Sequence, residues 1–294
     1  MKEKIVLSNQ ESIYFIDTHD ENKEILLLIH GNMSSGAHYE EIIPYLNNDY
    51  RIIAPDLRGF GDSSYHKPIE SLEDFADDLK DFLKHLNITQ VHIAGWSTGG
   101  GIAMKFAAKY PKTVKKLILL ESASYKGYPI YKKDASFQPI LTELYQDKET
   151  MALDPVQVLP AVNAMDNNDI AFMKQVWLAA IYNVKVPSED KLNYYLSETL
   201  KQRNLVDVDW ALMTFNMSNE HNGVVVGDNT IKQVTHETLS IYGKKDLIIL
   251  PYMYEETLKA LPNAKGLVFD DFSHSPITDD PVKLSETILT FLQP

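Results

Sequence analysis

Seven residues constrain this chain more than any others: Gly95-Trp96-Ser97-Thr98-Gly99-Gly100-Gly101. A β-branched run, Val91-His92-Ile93-Ala94, leads into them, and a segment of helical periodicity from Ile102 to Ala108 leads out, closing at Tyr110-Pro111. A chain that passes from strand to helix through so tight a turn lifts the turn residue clear of its backbone. Small residues are then needed two positions to either side, because a Cβ there would collide. The spacing presents the Ser97 hydroxyl as a nucleophile with a helix N-terminus behind it.

The rest of the chain supplies a frame for that turn. Ile5 to Leu7 and Ser12 to Ile16 read as an opening hairpin. Ile25-Leu26-Leu27-Leu28-Ile29 is apolar at every position, as is expected of a strand covered on both faces in a mostly parallel sheet. It runs into His30-Gly31-Asn32-Met33, and a short helix to Leu46 is expected next. Arg51-Ile52-Ile53-Ala54 is a second buried strand, followed by the loop Pro55 to Ser64. Ser71 with Asp74 three residues later marks a helix start, and Leu72, Phe75, Ala76, Leu79, Phe82, Leu83 and Leu86 form one stripe. Val114 to Leu120 is a further buried strand, ending at Glu121. Strands alternating with helices predict a doubly wound α/β sheet.

From 124 to 235 the pattern changes. Helical segments are expected at Asp169 to Tyr182, Ser188 to Gln202 and Leu205 to Met217, with no comparable apolar strand. A helical insertion is therefore predicted at 124–235, with the core formed by 1–123 and 236–294. Strands at Thr238 to Tyr242 and Gly266 to Phe269, and helices at Tyr252 to Leu261 and Pro281 to Leu292, complete the core.

Composition narrows the partners. A net charge of -13, from 28 basic against 41 acidic residues, repels phosphate backbones, so nucleic acid is not an expected partner. Zero cysteines exclude disulfides and thiolate metal sites. No apolar run reaches the roughly 18 residues of a membrane span, and no leader is visible, so a cytoplasmic protein is expected. Oligomeric state is not legible.

Ligands of an open parallel sheet meet the loops beyond the carboxyl ends of its strands. Those loops hold Ser97, Glu121, Asp246 and His274. A serine hydroxyl needs a base to take its proton, an imidazole suits that task near neutrality, and a buried carboxylate fixes the imidazole tautomer. Ser97, His274 and Asp246 are the expected nucleophile, base and acid, with Glu121 as the rival acid. His30 reads as a brace of its loop.

His30-Gly31-Asn32, Asp56-Leu57-Arg58-Gly59-Phe60-Gly61-Asp62-Ser63, Gly95 to Gly99, Gly243-Lys244-Lys245-Asp246 with Pro251, and Ser273-His274-Ser275-Pro276 stand in an order that resembles the α/β-hydrolases with an inserted cap. Ser273 departs from the glycine more usual there. The resemblance implies an α/β-hydrolase fold with an eight-stranded, mostly parallel sheet, and an oxyanion hole from the backbone N–H groups of Asn32 and Thr98, less surely Met33. It also implies hydrolysis of a small-molecule carboxylic ester, with no cofactor or metal. Met33, Trp96, Trp177, Trp210 and Met213 are the expected lining of an apolar acyl pocket. A serine nucleophile speaks against the dehalogenase and epoxide hydrolase branches. The missing Gly-Pro-Gly after His30-Gly31 speaks against proline iminopeptidases and many carbon-carbon bond hydrolases. Gly-Trp-Ser followed by glycines is similar to intracellular polyhydroxyalkanoate depolymerases. Perhydrolase, acyltransferase and hydrolase-fold receptor readings stay open on the residues alone.

Overall fold

The structure, a computed structural model, describes residues 2–293. Strands β1 (Glu3–Val6), β2 (Ser12–Asp17), β3 (Ile25–Ile29) and β4 (Arg51–Pro55) open the chain, with a 3-10 turn at Gly36–Glu41 and helix α1 (Ile43–Leu46) between β3 and β4. Helix α2 (Leu72–His85), strand β5 (Val91–Trp96), helix α3 (Thr98–Lys109) and strand β6 (Val114–Leu120) follow. The 124–235 segment holds strands β7 (Tyr131–Lys133) and β8 (Pro139–Leu144) and helices α4 (Lys148–Met151), α5 (Leu159–Asp166), α6 (Ile170–Ala180), α7 (Glu189–Thr199) and α8 (Leu205–Thr214). Strand β9 (Glu237–Gly243), helix α9 (Pro251–Ala260), strand β10 (Ala264–Phe269) and helices α10 (Pro276–Asp279) and α11 (Pro281–Leu292) end it.

Eight strands form one sheet in the order β1-β2-β4-β3-β5-β6-β9-β10. β1 and β2 pair antiparallel, β2 pairs antiparallel with β4, and the remaining pairs are parallel. The all-apolar strands sit in the middle because successive side chains serve opposite faces. Leu27 and Ile29 pack with Phe75, Phe82 and Phe106 of α2 and α3, whereas Leu26 and Leu28 pack with Leu46 of α1 and Leu284 and Ile288 of α11. At the start of α2 the Ser71 side chain accepts from the Glu73 N–H, and Asp74 accepts from the Ser71 N–H at 2.9 Å.

The 124–235 segment is not wholly helical, which corrects the sequence expectation. β7 and β8 make a small antiparallel hairpin, with Tyr131 opposite Leu144 and Lys133 opposite Pro139. The strands are short and mixed in polarity, so no clear alternation marks them. A polar clasp adds to the apolar packing of Leu144: buried Asp154 accepts from Lys133 Nζ at 2.8 Å and from the Tyr145 hydroxyl at 3.1 Å. Helix α8 also stops at Thr214, three residues before the expected end, because Phe215 turns extended. Val208 and Ala211 of α8 join the core layer of α2 and α3, while Trp177 and Tyr195 join the opposite layer. The segment buries its apolar faces on the sheet domain.

Candidate active site

Ser97 connects β5 to α3 with φ 55° and ψ -120°, a conformation that costs on the order of 1–3 kcal/mol for a residue bearing a Cβ. Close packing maintains it. A Cβ on Gly95 would overlap the Gly99 carbonyl, and one on Gly99 would overlap the carbonyls of Ile29 and His30. The Ser97 N–H donates to the Leu120 carbonyl at 2.9 Å, which ties the turn to β6.

Asp246 lies just beyond β9, where its Oδ1 accepts from the N–H groups of Ile248 at 2.6 Å and Ile249 at 2.9 Å. Those bonds leave Oδ2 for His274 Nδ1, 2.8 Å away. His274 sits in the loop between β10 and α10. Trp96 Nε1 donates to the His274 carbonyl at 2.6 Å, and Ser273, the residue that departs from the glycine pattern, places its N–H 2.5 Å and its Oγ 2.7 Å from Asp279 Oδ2. With Nδ1–H directed at Asp246, the lone pair of Nε2 faces the Ser97 hydroxyl at 3.0 Å. Three residues spread along the chain thus form one relay, buried at Asp246 and His274 and half-exposed to the cavity at Ser97.

Glu121, at the end of β6, does not contact the imidazole. It is fully buried, and neither carboxyl oxygen has a hydrogen-bond partner of ordinary geometry among the described residues. Burial first, and then the adjoining Asp246, push its carboxyl well above the usual range, so it is a neutral acid beside an ionised one. Burial opposes ionisation of Asp246 too, but the neighbouring His274 imidazole that hydrogen-bonds to it, together with Glu121 and the Ile248 N–H, holds that carboxyl below the usual range.

His30 braces the loop after β3. Its Nδ1–H donates to the Gly31 carbonyl at 2.8 Å, and its Nε2 accepts from the Leu57 N–H at 2.9 Å. Burial lowers its pKa to about 3, consistent with a neutral link between two loops. Among the described residues, the N–H groups of Asn32 and Thr98 donate to no protein acceptor. The Met33 N–H does: it donates to Gln202 Oε1 at 2.9 Å and Asn32 Oδ1 at 3.0 Å. The Asn32 side chain is held by Gln202 Nε2 at 2.7 Å and donates to Asp209 Oδ1 at 2.8 Å.

These groups open onto a cavity of about 300 Å³. Met33, Trp96 and Trp177 line it, as do Tyr128, Phe172 and Leu212. Trp210 and Met213 do not, which corrects the expectation for them. In α8 the residues facing the cavity are Leu205, Asp209 and Leu212, spaced by four and three, and a side chain one position further is turned by about 100°. Met213 and Trp210 pack instead with Ile130, Tyr145 and Met151 under the hairpin. Gln202 and Asp209 escaped sequence reasoning. The available signal was a carboxylate in the apolar stripe of α8.

A family model described as the alpha/beta hydrolase fold matches residues 24–281. Lipase 1 of Psychrobacter immobilis is 26% identical over 285 residues, covering 94% of this chain and 78% of that protein. The 2-hydroxymuconate semialdehyde hydrolase of a Pseudomonas strain is 26% identical over 236 residues, covering 76% and 71%. An esterase from Exiguobacterium antarcticum shares the fold, with a TM-score of 0.74 at 19% identity and 99% of each chain covered. No helix among the described residues is long and apolar enough to cross a membrane.

Proposed function

Because the chain belongs to the alpha/beta hydrolase fold family, we propose that it is a serine hydrolase of carboxylic esters. The observation that carries the reading is the relay from Ser97 Oγ through His274 to Asp246, with legs of 3.0 and 2.8 Å, opening into an apolar cavity. In this reading His274 Nε2 takes the Ser97 proton as Oγ attacks the ester carbonyl. The oxygen that becomes negative is met by the Asn32 and Thr98 N–H groups, each worth roughly 3–4 kcal/mol where such donors have been removed. Met33 is not one of the donors, since Gln202 and Asn32 already occupy its N–H. His274 then returns its proton to the leaving alcohol. A water, deprotonated by His274, attacks the acyl-enzyme and frees Ser97. Asp246 fixes the tautomer and faces the imidazolium, while Glu121 stays neutral behind it.

The 124–235 segment serves as a cap whose α6 and α8 wall the acyl site. The test is labelling of the full chain by a fluorophosphonate together with turnover of p-nitrophenyl esters from acetate to laurate. Labelling at Ser97 with turnover of a short or medium ester is expected, both lost in Ser97→Ala. Labelling without turnover of any ester favours a ligand-binding role and overturns the esterase reading.

A further inference from the structure

The cavity above Ser97 has one feature that ester hydrolysis as described leaves idle. Asp209 stands on the cavity face of α8 between Leu205 and Leu212, in a mostly apolar lining that includes Met33, Phe172 and Trp177 and, as further polar side chains, Tyr128 and Gln157. Asp209 is half-buried, and withdrawing a carboxyl from water among apolar groups costs free energy unless it is matched by hydrogen bonds or charge. Its Oδ1 accepts from Asn32 Nδ2 at 2.8 Å, and no described residue donates to Oδ2. No lysine or arginine lines the cavity to pair with it.

Holding the Asn32 side chain does not require a carboxyl. An asparagine or serine would accept that one bond without the cost of partly desolvating an ionisable group. Resting on the ester-hydrolase reading, we propose that Asp209 is a substrate-binding residue whose free oxygen accepts a hydrogen bond from a hydroxyl on the substrate, so that hydroxylated esters are the preferred class over plain ones.

Geometry sets where that hydroxyl sits. Asp209 is one asparagine side chain and one hydrogen bond away from the Asn32 backbone N–H, so the hydroxyl lies a few bonds from the scissile carbonyl. The chemistry favours a hydroxyl over an amine. Desolvation in the cavity pushes the Asp209 carboxyl up from its usual range, which favours a neutral partner that both donates and accepts. An ammonium would need a full anion in a pocket with no second charge to offset its desolvation.

The experiment compares kcat/KM of the full chain on p-nitrophenyl butyrate, its 2- and 3-hydroxy analogues and its 4-amino analogue, in wild type, Asp209→Leu and the nearly isosteric Asp209→Asn. The better hydroxy ester should exceed butyrate by about tenfold, the increment of one good hydrogen bond. Asp209→Leu should bring that ratio to about one, and Asp209→Asn should retain part of it. A residue that only positioned Asn32 would lower all the esters together and leave the ratio unmoved. A wild-type ratio near one, a ratio unchanged in Asp209→Leu, or a preference for the amino ester overturns the proposal while leaving the esterase reading intact. Absence of any turnover, with Ser97 unlabelled by fluorophosphonate, overturns both.

Discussion

Ser97, Asp246 and Glu121 are three short polar side chains whose expected behaviour differs because of what surrounds each. Ser97→Ala removes the attacking atom and should lower kcat about a millionfold with folding intact, read from steady-state rates on one ester. Asp246→Asn leaves the space filled but removes the acceptor that selects the imidazole tautomer, and should cost about ten-thousandfold. Glu121→Gln replaces a neutral acid by a neutral amide of the same shape, so kcat should stay within about threefold of wild type. A crippled Glu121→Gln beside an active Asp246→Asn would show that the acid had been misassigned. The choice between these two carboxylates was open in the sequence because both follow strands at the same rim. The Ile248 and Ile249 N–H groups, which hold Asp246 with one oxygen toward His274, support Asp246 in that proposed role.

At the scale of elements, the turn between β5 and α3 was legible from the spacing of Gly95 and Gly99, since collisions two residues either side of a tight turn are local geometry. Gly99→Ala pushes a Cβ into the Ile29 and His30 carbonyls, which are backbone and do not yield. A loss of about 3 kcal/mol is expected, measured by urea unfolding. Helix α8 shows the opposite case. Its existence was readable, but which of Asp209, Trp210 and Met213 faces the cavity depends on how the helix is rolled against α2 and the hairpin, and both of its faces are largely apolar. Trp177→Ala on α6 should shift the ester profile toward longer acyl chains by enlarging the cavity. Trp210→Ala, packed away under the hairpin, should lower the melting temperature and leave the profile in place.

For the whole molecule, buried titratable groups set how stability follows pH. Burial lowers His30 and His38 to about 3, so between about 3 and 6.5 each of these two is protonated in the unfolded chain only and contributes stability that grows with pH. Glu121, Asp209 and Asp78 are shifted the other way by burial, Asp209 to about 7 and Asp78 to about 6, so the folded state keeps protons that the unfolded state has lost. Between about 4 and 6 these acids oppose the two histidines; above about 6.5 the histidines no longer contribute and Asp78 has largely ionised in the fold, so Glu121 and Asp209 set the slope and the melting temperature should fall from pH 6.5 to 8. Glu121→Gln should flatten that fall, by up to about 1.4 kcal/mol of stability per pH unit. A slope equal in wild type and Glu121→Gln would show that Glu121 ionises freely in the fold. Taken alone, the sequence determined the doubly wound sheet and the rim positions of Ser97, Asp246 and His274, because strand burial and tight-turn geometry are written in neighbouring residues. The hairpin of β7 and β8, the Gln202 bond that occupies the Met33 N–H, and the placing of Asp209 in the cavity that Ser97 also lines were settled only by tertiary structure. Each depends on side chains far apart in sequence that meet after the 124–235 segment has packed onto the sheet.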